Sequence, residues 1–373
     1  MAASPEVIVV GPASPYRGGI ANYTGQLSTS LNEVLPTEIV NFTYLYPEIL
    51  FPGKTQFAPN PQELSVPNTR KLSSANPLTW YSVSSYINER SPRAVIFQWW
   101  HPFFAPAYHF IARRVGSEHT SIIFLCHNVE PHESSFFDKQ LLRYAYNPVK
   151  KFLVQSSLEM ERLLEYKPNA ETRVHTHPVY SFFPEPAPDM IPPVEIPETE
   201  ITLLYFGLIR PYKGLHVLLE AMPKILESLD THLLVVGEFY EEKEGYLQQI
   251  QELGLSNDVT VVDEYVPDAE VGWYFQNADI VVLPYLNATQ SGIIPIAYHF
   301  NRPVIATEVG GLPDVVFEDE TGYLVPPNDA VSLAGAVYKY SEQRNSIDFR
   351  GNIVKHLDMF SWDSLRDTLL KLI

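Results

Sequence analysis

Residues 201–220, ITLLYFGLIRPYKGLHVLLE, limit the possible folds more than any other stretch. Leu203 to Phe206 form a short apolar run that stops at Gly207, while Leu215, Leu218, Leu219, Met222, Ile225 and Leu226 recur at helical spacing. Two different periods so close together mean a buried strand, a short loop and an amphipathic helix. Such a loop sits at the carboxyl edge of a parallel sheet, where open α/β folds bind ligands. It holds Arg210 and Lys213, and two cations there suit a phosphate-bearing ligand. Plain solvent exposure is the ordinary alternative for both.

The same pattern opens the chain. Residues 7–10 are a β-branched run ending at Gly11, followed by PASPYRGG and a helical face of Ile20, Tyr23, Leu27 and Leu31. Gly18 and Gly19 let the backbone approach a ligand closely, and the amides of the helix that follows suit an anion. No GxGxxG spacing occurs, which argues against a nicotinamide enzyme.

Residues 44–77 are rich in proline, asparagine and aromatics and read as a long loop. Strands are expected at 94–98 and 121–125, each ending in a histidine region around His101 and His127. A neutral imidazole at a strand's carboxyl end can hydrogen-bond a ligand hydroxyl, a role assigned to His127; His101, among bulky aromatics, suits packing or gating equally well. Further strands are expected at 151–155 and 174–178. His175 and His177 would share a face of the latter, yet no cysteine or carboxylate completes a ligand set, so no metal site is expected.

Residues 184–200 carry six prolines without periodicity and mark a semi-rigid linker. Beyond it, strands are expected at 201–206, 231–237, 259–262, 279–284 and 303–306, alternating with helical segments. That alternation builds a doubly wound parallel sheet. Gln290, Ser291 and Gly292 stand at a helix start, where their amides could share a phosphate or where Thr289 or Ser291 could simply cap the helix. The expected architecture is α/β, two Rossmann-like domains facing a cleft: residues 1–183, the linker 184–200, and 201–359, with the final helix 360–373 packing back on the first domain.

Charge narrows the partners. The chain has 373 residues and a net charge of −18, of which the part up to residue 190 carries only 15 Lys and Arg against 16 Asp and Glu. The acidic remainder should repel nucleic acid and anionic lipid, so no nucleic-acid partner is expected and any membrane contact is peripheral and belongs to the first domain. One cysteine, Cys126, excludes an internal disulfide framework and fits a reducing compartment. With no secretory leader pattern and no apolar run long enough to span a bilayer, a cytoplasmic location is expected, if anywhere peripheral at the inner face of the membrane.

Taken in order, these motifs resemble glycosyltransferase family 4, retaining nucleotide-sugar enzymes of the GT-B fold. The resemblance rests on Gly18-Gly19, His127, GLIRPYKG, DIVVLPY with the segment 288–296, PVIATEVGGLPDVV and GYLVPPND. It implies that Arg210 and Lys213 grip the donor diphosphate, that the amides of Gly18 and Gly19 approach it, and that His127 contacts the transferred sugar. It further implies a metal-independent hexosyltransferase with no cofactor, a UDP- or GDP-linked donor, and a glycan or lipid-linked acceptor. One departure stands out. Where the family usually carries two glutamates, ungapped alignment places Ala288 and Ile296. Gln290, Ser291 and Gly292 could hold sugar and phosphate instead. A catalytically silent nucleotide-sugar-binding protein is the alternative reading, and a related epimerase or phosphorylase is a third.

Overall fold

The computed structural model describes residues 4–46, 56–58, 61, 63–115, 119–131, 136–178, 183–240 and 243–373. The chain forms two compact units, Met1–His175 with Trp362–Ile373, and Thr176–Ser361.

In the first unit the elements run β1 (Val7–Val10), α1 (Gly19–Asn32), β2 (Thr37–Tyr44), β3 (Asn68–Ser73), α2 (Pro77–Arg90), β4 (Ala94–Trp99), α3 (Ala105–Val115), β5 (Ser121–Cys126), α4 (Phe136–Tyr146), β6 (Lys151–Val154), α5 (Ser157–Tyr166) and β7 (Glu171–Val174). Among the described residues they form a seven-stranded sheet in the order β3-β2-β1-β4-β5-β6-β7, and every pairing is parallel. Successive side chains point to opposite faces of a strand, so the all-apolar β1 serves two cores. Ile8 and Val10 join one cluster with Val83, Tyr108 and Leu142, whereas Val7 and Val9 join another with Tyr23, Leu27, Leu365 and Leu369.

In the second unit the order is β8 (Ile201–Phe206), α6 (Leu215–Leu226), β9 (Thr231–Val236), α7 (Lys243–Glu252), β10 (Val259–Val262), α8 (Asp268–Gln276), β11 (Ile280–Leu283), α9 (Ile293–His299), β12 (Val304–Thr307), β13 (Gly322–Val325), α10 (Ala330–Gln343) and α11 (Phe349–His356). The six strands order as β10-β9-β8-β11-β12-β13, again all parallel. Leu203 and Tyr205 pack toward α6 and α10, and Leu204 packs on the opposite face with Tyr274 and Ile294. The closing helix α12 (Trp362–Leu370) lies in the first unit, where Leu365 and Leu369 are fully buried. Each such leucine contributes about 1.5–3 kcal/mol of hydrophobic stabilisation.

Both sheets reverse their strand order once, between β1 and β4 and between β8 and β11. Loops at such reversals diverge and leave a crevice, so the segments after β1, β8 and β11 are where each unit can take a ligand.

Three expectations need correction. Residues 44–77 are not simply a loop, because β3 lies within them; residues 47–55, 59–60 and 62 fall outside the described residues. Strand β3 is an edge strand of sequence NTRKLS, and an edge needs no apolar run. Second, His175 and His177 do not lie in a strand. β7 ends at Val174, the His175 amide makes the last bond to the Val154 carbonyl at 3.0 Å, and its partner strand has by then turned into α5. Third, residues 184–200 are not bare linker, since Val194 and Ile196 lie against the second unit's core.

Candidate functional site

The loop after β8 is held in place by glycine. Gly207 has φ +103° and its amide donates to the Val236 carbonyl at 2.9 Å. Gly214 has φ +69°, and a Cβ there would stand 1.9 Å from the Pro284 carbonyl oxygen. The close approach lets the Leu286 amide donate to the Tyr212 carbonyl at 2.7 Å, while Ile209 and Tyr240 bond the loop to the segment after β9. Three loop segments are thereby stapled together.

Arg210 and Lys213 project from this frame onto aromatic rings. The Arg210 guanidinium lies 4.1 Å from the Tyr240 ring centroid, and the Lys213 ammonium 5.6 Å from that of Tyr285. Neither cation forms an ion pair among the described residues, and the Arg210 Nε is buried without a hydrogen-bond partner. Burial, with the neighbouring Arg210 charge second, lowers the Lys213 pKa to about 8. A ring face holds a cation without neutralising it, so both charges stay available to an anion.

The helix start at α9 is spoken for differently. Ser291 Oγ, one residue ahead of the Gly292 cap position, accepts from the Ile293 amide at 3.2 Å and lies 3.3 Å from the Tyr285 hydroxyl, so it is engaged at the helix start and beside the Lys213 platform. Gln290 is partly buried beside it and Gly292 is exposed. Gly310, at φ +57°, packs so closely that a Cβ would sit 1.7 Å from the Ala288 carbonyl oxygen. Ala288 and Ile296 are both buried in the apolar core.

In the first unit His127 follows β5 and its ring is clamped by two amides. Its Nε2 lies 2.7 Å from Gln98 Oε1 and its Nδ1 3.1 Å from Gln155 Nε2, an arrangement in which Nε2 donates and Nδ1 accepts. Tyr23 meets the ring edge-on at 4.7 Å. The backbone after it is locked too: the Val129 amide donates to the buried Glu159 carboxylate, and the Val129 carbonyl accepts from the Tyr146 hydroxyl at 2.7 Å. Gly18, at φ +107°, opens α1 with no side-chain cap. It borders, with Gly19, a cavity of about 480 Å³ that lies wholly in the first unit.

The structure thus brings Arg210, Lys213, Ser291 and Tyr285 together in one unit, and Gly18 and Gly19 together in the other, with His127 clamped between glutamines near the same sheet edge. Sequence reasoning missed Tyr240, Tyr285, Gln98 and Gln155. A signal for the glutamines existed: β4 and β6 flank β5, with Gln155 directly after β6 level with His127 and Gln98 in β4 paired with Leu125, two residues earlier. Among the described residues no group of three or more His, Cys, Asp or Glu is placed to hold a metal. No helix among them is long and apolar enough to cross a membrane.

Comparison with known proteins places this geometry. Residues 200–343 match the family model described as glycosyl transferases group 1. A D-inositol 3-phosphate glycosyltransferase of Corynebacterium diphtheriae is 29% identical over 181 residues, covering 47% of this chain and 42% of that relative. The putative colanic acid biosynthesis glycosyltransferase WcaL of Escherichia coli is 28% identical over 159 residues, covering 40% of this chain and 38% of its own length. The chain therefore spans less than half the length of these curated relatives. Among solved structures, the apo lipopolysaccharide outer core galactosyltransferase WaaB superposes with a TM-score of 0.72 at 16% identity, covering 98% of this chain and 99% of its own. Anabaena Alr3699/HepE in complex with UDP gives a TM-score of 0.71 at 14% identity over 98% of both chains. These likenesses establish the two-unit α/β architecture as GT-B.

Proposed function

We propose that this chain, a GT-B protein matching the group 1 glycosyltransferases over its second unit, transfers a sugar from a nucleotide-diphosphate donor to an acceptor hydroxyl with retention of anomeric configuration. The observation that carries the reading is the pair Arg210 and Lys213, two cations on aromatic rings at a sheet-reversal loop, with no carboxylate paired to either among the described residues. Departure of a nucleoside diphosphate develops negative charge, and fixed donors aimed at that charge lower the barrier. The two side chains do this without a metal ion in the mechanism. The Gly292 backbone and the Gln290 amide supply further contacts to phosphate and sugar, and in the first unit Gly18 and Gly19 let the backbone come close to a ligand. His127 is the first unit's hydrogen-bonding contact for the transferred sugar, with its Nε2 set 2.7 Å from Gln98 Oε1. The acceptor attacks the face the diphosphate leaves, and a phosphate oxygen takes its proton.

Because one neighbour, Alr3699/HepE, was solved both with UDP and with UDP-glucose, we favour a UDP-linked donor. Relatives named for colanic acid and lipopolysaccharide assembly support a glycan or lipid-linked acceptor in polysaccharide biosynthesis. A cytoplasmic protein with at most peripheral membrane contact fits that work. Slow hydrolysis of UDP-glucose, followed by proton NMR, tests the reading: release of UDP with the α-anomer formed first supports it, and β-glucose first would overturn retention. The second reading, a silent sugar-nucleotide-binding protein, is favoured by the apolar burial of Ala288 and Ile296. It predicts UDP binding with no UDP released from any UDP-sugar.

A further inference from the structure

The transferase reading needs His127 in one place, and the two glutamines hold only its ring. Its backbone needs an anchor of its own, because β5 ends at Cys126 and the chain there leaves the sheet. The His127 amide still donates to the Trp99 carbonyl of β4 at 2.8 Å. Two residues on, Val129 is fully buried, with its amide bonded to Glu159 and its carbonyl to the Tyr146 hydroxyl at 2.7 Å. The next residue is tied to the same helix, since the Tyr166 hydroxyl at the end of α5 donates to the Glu130 carboxylate.

Glu159 reaches Val129 against its own local pattern. Ser156 caps α5 by accepting from the Glu159 amide at 3.2 Å, and the spacing S-x-x-E is that of a capping box, in which the glutamate turns back to the serine's own amide. Here Oε2 accepts instead from Val129 in the loop after β5, and Oε1 accepts from Arg162 Nη1 at 2.8 Å. The carboxylate is fully buried, whereas the guanidinium is partly exposed. A buried carboxylate is costly unless its oxygens find donors, so release of the Val129 amide would leave a charge short of a partner. The bond therefore resists opening more than one to a neutral acceptor would.

We propose that Glu159 is a positioning residue for the transfer: by holding Val129 it fixes the backbone that presents His127, and so keeps the imidazole where Gln98 and Gln155 meet it. Buried from solvent, Glu159 acts on a bound sugar only through His127. This deepens the transferase reading and rests on it.

The test uses the full chain with Glu159→Ala, Glu159→Gln and Tyr146→Phe. It reads the proton-nitrogen NMR signals of the His127 imidazole, assigned with His127→Asn, together with kcat and KM for UDP-glucose hydrolysis and the affinity for UDP. Glu159→Ala should move or broaden the His127 ring signals and lower kcat about tenfold or more, with UDP affinity within about twofold of wild type. Glu159→Gln keeps an oxygen for the Val129 amide and should restore the ring signals and most of kcat. Tyr146→Phe removes one hydroxyl from the same backbone and keeps the ring, so it serves if Glu159→Ala does not fold; it should move the same signals with a smaller loss of kcat. A lower melting temperature with the His127 signals and the kcat of the folded protein unchanged would make Glu159 merely structural and overturn the proposal. Ring signals that stay put in Tyr146→Phe when Glu159→Ala does not fold would overturn it too. If wild type releases no UDP from UDP-glucose or any other UDP-sugar, the transferase reading fails, while the ring signals still decide whether Glu159 places His127.

Discussion

Lys213 and His127 are each set at the carboxyl edge of a parallel sheet, yet their surroundings are opposite. Lys213 has a ring beneath it, a like charge beside it and no acid in reach among the described residues. His127 has both ring nitrogens bonded to glutamines. The first arrangement leaves an electrostatic demand that the unliganded protein does not meet. The second meets its own demand and fixes a ring in one tautomer. A ligand's negative charge belongs with the first, and orientation of a neutral group belongs with the second.

Mutations can break that contrast, and the largest effect is expected at Lys213. Lys213→Ala should lower the rate of UDP-sugar hydrolysis roughly a hundred- to a thousand-fold, about 2.7–4 kcal/mol, as removal of a preorganised donor does elsewhere; a loss under threefold would show that the lysine is ordinary surface charge. Gln98→Leu should follow. It leaves the His127 Nε2 proton without its acceptor and costs about 1–3 kcal/mol in stability by denaturant melting. An unchanged midpoint would mean that the clamp is not formed.

The pH dependence is next. Lys213 in the unliganded protein has a pKa lowered to about 8, from burial first and Arg210 second. A bound diphosphate favours the charged form and raises it. UDP affinity is therefore fully present below pH 8 and falls up to about tenfold per unit as pH rises above it, until the liganded pKa is reached. A flat profile from pH 7 to about 10 would contradict this sign. The smallest effect is expected for Tyr240→Leu, which removes the ring under Arg210 and should weaken UDP about two- to fivefold, the range of an exposed cation–π contact. Tyr240→Phe should restore most of it.

Much of the fold was legible because its strands are short apolar runs that stop at glycine or a polar residue. The strand at 259–262 and the loop after Phe206 could be placed from period alone. Strand β3 and helix α2 could not. The first is polar and at an edge, and the second buries only Val83, Ser84 and Ile87. At the candidate site, Arg210 and Lys213 were visible as charges, but Tyr240 and Tyr285 were not visible as their partners. Those contacts form across three loops separated by 30 to 75 residues, held by glycines whose backbone angles a sequence does not display. Ser291 shows the converse. Its helix-start position suited either a ligand or a cap, and only the bonds to Ile293 and Tyr285 show that its oxygen is engaged within the protein.

The central claim is that the β8 loop is a diphosphate grip. Isothermal titration with UDP, GDP and ADP, each with chelator present, and repeated on Lys213→Ala, tests it most directly. The account predicts micromolar binding of UDP without metal, lost in the variant. No binding of any of the three, or binding that Lys213→Ala leaves intact, would contradict it.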